Sequence, residues 1–235
     1  MAALIAFDTS TERMTVALQS GGRVLARGGD GGARASATLL PTIFAVLAEA
    51  GLGLADLDAI AFGRGPGAFT GLRTACAVAQ GLAFGAGKRV LPIDTLLAVA
   101  EDARGNAANA RVWALLDARM DEIYAAEYEH ADGRWTTRVA PLLVDCESLA
   151  VRWRAAPPAL VAGNAIGVFG ARLRTGNARL VPDAAPSAVA LLRLAESAWR
   201  DGAAVDPALA LPLYVRDKVA ETEAERAARS ARASS

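Results

Sequence analysis

The residue types and spacing most suggestive of chemistry lie in one glycine-rich stretch between residues 63 and 73. It holds four glycines and a proline within nine residues, after a short apolar run at 59–62 and before an apolar helical run. Such a turn can hold a phosphate, because the N–H groups of a helix's first turn are unpaired and positively polarised. We expect Thr70 to cap the helix, with Arg73 nearby. The stretch reads Gly63, Arg64, Gly65, Pro66, Gly67, Ala68, Phe69, Thr70, Gly71, Leu72, Arg73.

Two interpretations of this stretch stay open on the sequence alone. It is either a phosphate cradle at a helix N-terminus, or a rigid strand-to-helix corner that also shapes a protein contact. It is not a Walker loop, because the two lysines, Lys88 and Lys218, stand in no Gly-Lys-Ser or Gly-Lys-Thr sequence. It is not a dinucleotide-binding G-x-G-x-x-G motif either, because the run from Gly65 through Gly67 to Gly71 is one residue too long.

The second candidate for a nucleotide or phosphate contact is the polar turn that follows the first apolar strand. Asp8 is the best-placed single acid of the chain, because it ends that strand and begins the turn with Thr9 and Ser10. The alternative is an ordinary turn, in which short polar side chains bond the neighbouring backbone.

The remaining polar side chains do not predict a catalytic residue or a metal site. Asp117, Asp121 and Glu122 form the densest acidic cluster before the C-terminal tail, and carboxylates can perform acid–base chemistry or hold magnesium. Arg119 among them favours a salt-bridged turn. The single histidine, His130, stands beside a predicted hairpin turn, where we expect it to be solvated.

Composition narrows the class of protein. The chain has 235 residues, is 53% apolar and carries 25 basic and 25 acidic residues, so nothing predicts independent nucleic-acid binding. No apolar run reaches the length of a membrane span, and the N-terminus lacks the basic region of a signal peptide. We therefore expect a cytoplasmic protein that does not enter a membrane.

The pattern of apolar residues and turn signals predicts an α/β protein with two domains and a tail. In the first half it predicts strands at 4–7, 15–19, 23–27, 59–62 and 90–93, an exposed loop at 28–35, and helices at 36–50, 71–85 and 95–104, with Asp94 capping the last. In the second half it predicts strands at 112–116, 123–128 and 160–162, helices at 145–154 and 188–200 capped by Asp145 and Ser187, and an extended segment at 211–216. The predicted boundaries are 1–105, 106–216 and a flexible tail at 217–235, with helix 188–200 free to pack back on the first domain.

Several short motifs occur in a fixed order along most of the chain. They are the turn Asp8-Thr9-Ser10-Thr11, the glycine-rich stretch, Ala79-Gln80-Gly81-Leu82-Ala83, Asp117-Ala118-Arg119, Glu122-Ile123-Tyr124, and Pro212-Leu213-Tyr214-Val215-Arg216. This order resembles the bacterial TsaB (YeaZ) family, non-catalytic relatives of the TsaD/Kae proteins. The long glycine-rich motif is the most specific of the set.

The resemblance implies a fold, a role and a set of partners. The fold is the actin-like ATPase fold, related to ribonuclease H, with two related subdomains whose mixed sheets are flanked by helices. The role is that of a non-catalytic scaffold in forming N6-threonylcarbamoyladenosine (t6A) at adenosine 37 of tRNAs that read codons beginning with A. The implied partners are TsaD, in a heterodimer, and TsaE, with a homodimer when the chain is alone and tRNA bound only through the complex. No cofactor belongs to the chain itself, since ATP and metal are expected on TsaE and TsaD.

The implied contact uses the helices predicted at 36–50 and 71–85. Small residues recur every four positions on the second helix, which would let another helix approach closely, although packing inside the same domain explains them equally well. The candidate interface residues are Leu39, Ile43, Leu47, Gly71, Ala75, Val78, Ala79 and Leu82. The chain departs from the family at Ala35, where a histidine is common. The alternative function is an actin-fold phosphotransferase or ATPase that uses the Asp8 turn and the 65–71 loop, with residues 163–167 as its nearest second phosphate loop.

Overall fold

The computed structural model describes residues 2–216, so the predicted tail at 217–235 lies outside the described residues. The first half contains β1 (Leu4–Asp8), β2 (Arg13–Ser20), β3 (Arg23–Asp30), α1 (Ala35–Ala50), β4 (Ala59–Gly65), α2 (Phe69–Ala86), β5 (Arg89–Asp94) and α3 (Thr95–Arg104). The second half contains β6 (Ala110–Asp117), β7 (Ile123–Ala131), β8 (Arg134–Val144), α4 (Cys146–Ala155), β9 (Leu160–Ala162), α5 (Ala165–Phe169), β10 (Arg179–Val181) and α6 (Ala188–Arg200).

The two halves repeat one topology. The first sheet has the order β3-β2-β1-β4-β5, and the second has the order β10-β9-β6-β7-β8, which is the same arrangement read from the other edge. In each sheet the first three strands are antiparallel and the last two join by parallel pairing. This is the actin-like, ribonuclease H-like fold, with two mixed sheets flanked by helices.

The layers alternate between helices and sheets. Helices α1 and α2 cover the outer face of the first sheet, and α4 and α5 cover the outer face of the second. Between the sheets, α3 packs on β6 of the second sheet while α6 packs on β1 of the first. Because β1 is covered on both faces, all five of its residues are buried, which explains the four apolar residues that precede Asp8.

Four expectations about local structure in the first half are wrong. Residues 28–35 do not form a loop, because β3 pairs with β2 as far as Asp30 and a short 3-10 turn then leads into α1.

Helix α1 begins at Ala35, which is fully buried, and α2 begins at Phe69. Thr70 therefore lies inside α2 and cannot cap it; the N-cap residue is Ala68, which makes no side-chain capping bond. Asp94 stands at the N-cap of α3, but its side chain makes no capping bond either.

In the second half the two predicted caps are confirmed and the histidine prediction is wrong. The side chains of Asp145 and Ser187 accept hydrogen bonds from the N–H groups of Ser148 and Ala190. His130 is 9% exposed in β7, with Nδ1 2.8 Å from the Ala108 carbonyl oxygen. No helix in residues 2–216 is long and apolar enough to cross a membrane.

Candidate functional site

The turn after β1 is a closed hydrogen-bonded unit rather than an exposed polar loop. Asp8, Thr9 and Ser10 are each at most 2% exposed. The Ser10 N–H and hydroxyl donate to Oδ1 of Asp8 at 2.7 and 2.6 Å, and the Thr95 hydroxyl donates to Oδ2 at 3.2 Å. The Asp8 carboxylate is therefore used to hold its own turn against the start of α3.

Burial controls the protonation of Asp8. Loss of solvent raises the pKa of this carboxyl to about 6, although the hydrogen bonds from Ser10 and Thr95 act in the opposite direction. All of these donors are neutral. The turn thus contains a carboxyl group that is charged at neutral pH without a paired cation.

The glycine-rich corner lies directly against this turn. A Cβ atom on Gly63 would lie 1.7 Å from Oδ2 of Asp8, and one on Gly71 would lie 1.8 Å from the Thr9 carbonyl oxygen. A Cβ on Gly67 would lie 2.6 Å from Ser10. These positions need glycine because the backbone touches the turn there.

Two hydrogen bonds lock the corner to the turn. The Thr9 hydroxyl donates to the Gly71 carbonyl oxygen at 2.7 Å, and the Ala68 N–H donates to the Ser10 carbonyl oxygen at 2.7 Å. The second bond uses an N–H at the N-terminus of α2, where an anion would otherwise bind. This packing favours a rigid strand-to-helix corner over a phosphate cradle.

The extended segment near the C-terminus covers the outside of the corner. A Cβ on Gly65 would lie 2.8 Å from the Leu213 carbonyl oxygen, and the Leu213 N–H donates to the Arg64 carbonyl oxygen at 2.7 Å. Tyr214 stacks on Phe69 with ring centroids 5.2 Å apart. The corner is thus enclosed by the β1 turn on one side and by residues 211–216 on the other.

The two arginines of the glycine-rich stretch serve this enclosure. Arg64 pairs with Asp94 at 2.6 Å and joins the end of β4 to the end of β5. The Arg73 guanidinium lies 3.8 Å from the centroid of the Phe69 ring and donates from Nε to the Tyr214 hydroxyl at 3.2 Å. The peptide bond between Gly65 and Pro66 is cis.

The corresponding strand end in the second half is filled in the same manner. Gly163 follows β9 as Gly63 ends the apolar part of β4, and a Cβ on Gly163 would lie 2.0 Å from the Leu115 carbonyl oxygen. The side chain of Asn164 accepts a hydrogen bond from the Asp117 N–H at 2.9 Å. Residues 163–167 therefore form no second phosphate loop.

A cavity beside the turn that begins at Asp8 is small. It has a volume of about 140 Å³ and lies between the start of β2 and the N-terminus of α6. Small-molecule sites typically have volumes of roughly 300 to 1,000 Å³. Its lining residues are Thr11, Arg13, Thr15, Ala185, Pro186 and Ser187.

The acidic cluster of the second half is a salt-bridged turn. Arg119 pairs with Asp117 at 3.2 Å, Arg172 pairs with Asp121, and Arg216 pairs with Glu122. The hydrogen bond from Arg172 lowers the pKa of Asp121. Within residues 2–216 no three histidine, cysteine or acidic side chains are grouped so that they could hold a metal ion.

The residues expected to form a partner interface are mostly turned inward. Leu39, Ile43, Leu47, Gly71, Ala75, Ala79 and Leu82 are buried in this chain, and Val78 is partly buried. All except Gly71 pack in or against the core between the first sheet and its two outer helices. The small-residue row through Gly71, Ala75 and Ala79 therefore lets α2 approach its own sheet. Seven of the eight residues thus serve the core of this chain, and their place in a partner interface stays a prediction.

The same two helices nevertheless present an apolar outer face. Leu40 and Phe44 on α1 are 38% and 48% exposed, and Phe84 on α2 is 62% exposed. Gly81 and Gly85 are exposed on α2, and a Cβ on either would have no atom within 4 Å. We call these five residues the outer helix face. Glycine in a helix interior costs about 1 kcal/mol relative to alanine, and nothing within residues 2–216 requires it here.

Three residues that complete the corner were not expected as site residues. Thr95 is central, because its hydroxyl bonds Asp8 and also accepts the Gly65 N–H at 3.0 Å. Its only signal in the sequence was its place after Asp94. Leu213 and Tyr214 belong to one of the family motifs. No property of these two residues predicts that they contact the glycine-rich stretch, about 140 positions earlier in the chain.

Comparisons with known proteins agree on one family. Residues 32–160, just over half of the chain, match the sequence model described as TsaD, tRNA N6-adenosine threonylcarbamoyltransferase. The chain is 33% identical over 232 residues to the tRNA threonylcarbamoyladenosine biosynthesis protein TsaB of Escherichia coli K12, covering 92% of this chain and 96% of the relative. It is 45% identical over 124 residues to TsaB of Haemophilus influenzae, covering 53% and 52% of the two chains.

A solved structure agrees as well. YeaZ from Pseudomonas aeruginosa is 40% identical and superposes with a TM-score of 0.83, covering 91% of this chain and all of that one. The chain therefore belongs to the TsaB (YeaZ) family.

Proposed function

We propose that this chain is a non-catalytic scaffold for t6A formation at adenosine 37 of tRNAs that read codons beginning with A. Its relatives carry the name of tRNA threonylcarbamoyladenosine biosynthesis proteins. In the proposed complex the chain pairs with TsaD, which performs the transfer, and the pair recruits TsaE. ATP and metal belong to TsaE and TsaD, and tRNA is bound by the complex.

The proposal that the chain is non-catalytic rests on the close packing of the glycine-rich corner. In actin-fold kinases the phosphates lie between two turns, one from each domain. Here Gly63, Gly67 and Gly71 pack against the first turn at residues 8–10. The corresponding turn of the second half lies between β6 and β7 at residues 118–122, and Arg172 and Arg216 pair with its acids. A chain whose own residues occupy both turns is suited to hold a shape for a partner rather than to bind a nucleotide.

The pairing part is supported by the outer helix face. It lies on the outermost layer of the protein, on two helices that pack against each other. A large exposed apolar patch on a folded protein typically marks an interaction site. Within residues 2–216 the space above Gly81 and Gly85 is open, so the close approach that they permit suits a helix from another chain.

Reconstitution tests the function as a whole. Unmodified tRNA, TsaD, TsaE and the enzyme that forms threonylcarbamoyl-AMP are combined with and without this chain, and t6A is measured by mass spectrometry of nucleosides. We expect t6A to depend on the chain, and we expect the chain alone to show no magnesium-dependent ATP hydrolysis. Equal t6A formation without it would contradict the scaffold role, and ATP turnover by the purified chain would contradict the non-catalytic role.

A pair of glycine substitutions tests the docking surface. Gly81→Glu adds a carboxylate to the outer helix face without any clash inside the chain, because no atom lies within 4 Å of its Cβ position. Burying that unpaired charge should weaken pairing with TsaD by at least about 100-fold. Gly167→Glu is the matched control, since Gly167 is also an exposed helical glycine with open space, but lies on α5.

Isothermal titration calorimetry with TsaD measures both variants, and circular dichroism checks that both fold. We expect the control to bind as the natural chain does. Unchanged affinity of the folded Gly81→Glu variant would remove the outer helix face from the interface and leave the reconstitution result to decide the function by itself.

A further inference from the structure

The chain has no net charge, but one of its regions is strongly basic. Between Ser148 and Pro182 there are five arginines and neither an aspartate nor a glutamate, so the rest of the chain carries an excess of five acidic residues. This region forms most of α4 together with β9, α5 and β10, along one edge of the second sheet. The five are Arg152, Arg154, Arg172, Arg174 and Arg179.

The topology brings four of these arginines to the same end of the sheet. Arg152 and Arg154 lie in the last turn of α4, and only four residues separate that helix from the start of β9. Arg179 is the first residue of β10, which runs parallel to β9 and pairs it with Leu160. The fourth, Arg174, lies in the short connection that leads to Arg179.

Burial shows which way the backbone directs these side chains. Trp153 and Leu173, which lie beside three of the arginines in sequence, are 3% and 5% exposed and pack in the apolar cluster on the outer face of the second sheet. The arginines on either side of them are exposed. We call Arg152, Arg154, Arg174 and Arg179 the arginine surface.

The arginine surface has no carboxylate partner among the described residues. Arg172 is neutralised by Asp121, but none of the four forms an ion pair within residues 2–216. The acids Asp145 and Glu147 lie at the opposite end of α4, about 12 Å from its last turn by the helical rise. A favourable interaction with the C-terminal end of the helix explains arginines on α4, but it does not explain Arg174 or Arg179.

We propose that the arginine surface binds the phosphate backbone of RNA. Four exposed cations without local acids are what a repeating row of phosphates requires, and the lack of exposed aromatic side chains among them argues against base recognition. The identity of the RNA rests on the proposed function: it is the tRNA that the complex modifies. Four contacts are too few for tight binding by this chain alone, which agrees with tRNA binding through the complex.

Charge neutralisation at Arg174 and Arg179 tests the proposal. This pair is outside any helix, so its substitution does not remove a helix-terminal interaction. The test variant carries Arg174→Gln and Arg179→Gln, and the matched control carries Arg23→Gln and Arg89→Gln, two exposed arginines on strands of the first sheet with the same loss of charge. A third variant with Arg174→Lys and Arg179→Lys keeps the charge.

Binding of fluorescent unmodified tRNA to the complex with TsaD is measured at salt concentrations from about 50 to 250 mM. We expect the test variant to lower the affinity at least about fivefold at the low-salt end. We expect it to reduce the slope of log K against log salt by about 1.5, or roughly 0.8 for each phosphate contact. The lysine variant and the control should keep the natural slope.

The outcomes separate this inference from the proposed function. If the test variant forms the heterodimer and has the slope of the control, the arginine surface does not bind RNA, while the scaffold role stands. If the natural chain forms no complex with TsaD, the same titration on the chain alone at low salt decides the inference. Loss of binding to anionic phospholipid vesicles, with tRNA binding unchanged, would overturn it in favour of a membrane surface.

Discussion

Replacing Asp8 by asparagine should stabilise the protein at neutral pH and leave its stability nearly unchanged in acid. Burial raises the pKa of Asp8 from 3.8 to about 6, so the folded protein holds this proton more tightly than the unfolded chain does. The stability that Asp8 contributes is then fully present below about pH 4 and is lost as the pH rises through about 6. A shift of about two pKa units corresponds to about 3 kcal/mol at pH 7.5.

Asparagine suits the site geometrically. Its carbonyl oxygen can accept both hydrogen bonds from Ser10, as Oδ1 of Asp8 does now. Its amide can donate to the hydroxyl oxygen of Thr95, which at present donates to Oδ2. The substitution therefore removes the buried charge and mimics the protonated carboxyl, whose O–H would donate to Thr95 in the same way, at the cost of one additional amide N–H in the turn.

The measurement is urea unfolding of both proteins at pH 3.5, 5.5 and 7.5 and constant ionic strength. Circular dichroism is the suitable probe, because all four tryptophans lie after residue 112 and report mainly on the second sheet and α6. We expect Asp8→Asn to gain about 3 kcal/mol relative to the natural protein between pH 3.5 and 7.5. A difference that does not change with pH would refute the reasoning, since it would mean that the ionised carboxylate is stabilised by a charge that the buried geometry does not contain.

Four further substitutions test the packing. Gly71→Ala should destabilise the fold by more than about 3 kcal/mol, because its Cβ would overlap a carbonyl oxygen of the β1 turn. Gly85→Ala should stabilise the fold by about 0.5–1 kcal/mol, because its Cβ meets no atom and alanine favours the helix. Equal melting temperatures for the two variants would contradict both expectations. Ser187→Ala should cost about 1 kcal/mol in urea unfolding through loss of the α6 cap, and a neutral result would assign the cap no energetic role. Glu101→Gln should lower the free energy of unfolding by about 3 kcal/mol, because Glu101 is 2% exposed and accepts two hydrogen bonds from Arg104. A smaller loss of stability at all salt concentrations would show that the buried ion pair is replaceable.

Much of the fold could be predicted because the local signals and the tertiary structure agree. The hairpin around residues 20–22 and the caps at Asp145 and Ser187 depend on contacts within a few residues. Two wrong predictions concern residues whose contacts are more distant. His130 looks solvated beside a turn, but its Nδ1 lies 2.8 Å from the carbonyl oxygen of Ala108, and residues 28–30 look like a flexible loop until β2 is placed beside them.

The glycine-rich stretch shows the limit for a functional site. Its composition is compatible with a phosphate cradle and with a tight corner, because both need backbone without side chains. The choice depends on what occupies the space beside the glycines. That space is filled by the turn at residues 8–10, about sixty positions earlier, and by Leu213, about 150 positions later. No pattern within the stretch contains this information.

Helix α2 shows why sequence periodicity proposes a docking surface on residues that the structure buries. It carries two rows of small residues, one through Ala75 and Ala79 and one through Gly81 and Gly85, and a period of four residues is present in both. Periodicity alone cannot tell which row faces the sheet. Only the folded structure shows which row faces the sheet: β4 covers the first row, and the second row lies beside the exposed Phe84. Glycine rather than alanine in the exposed row is the feature that the monomer does not explain, since alanine would fit there and would stabilise the helix. The cost of those two glycines is accounted for if another helix packs against them, and this makes the outer row the better guide to the partner.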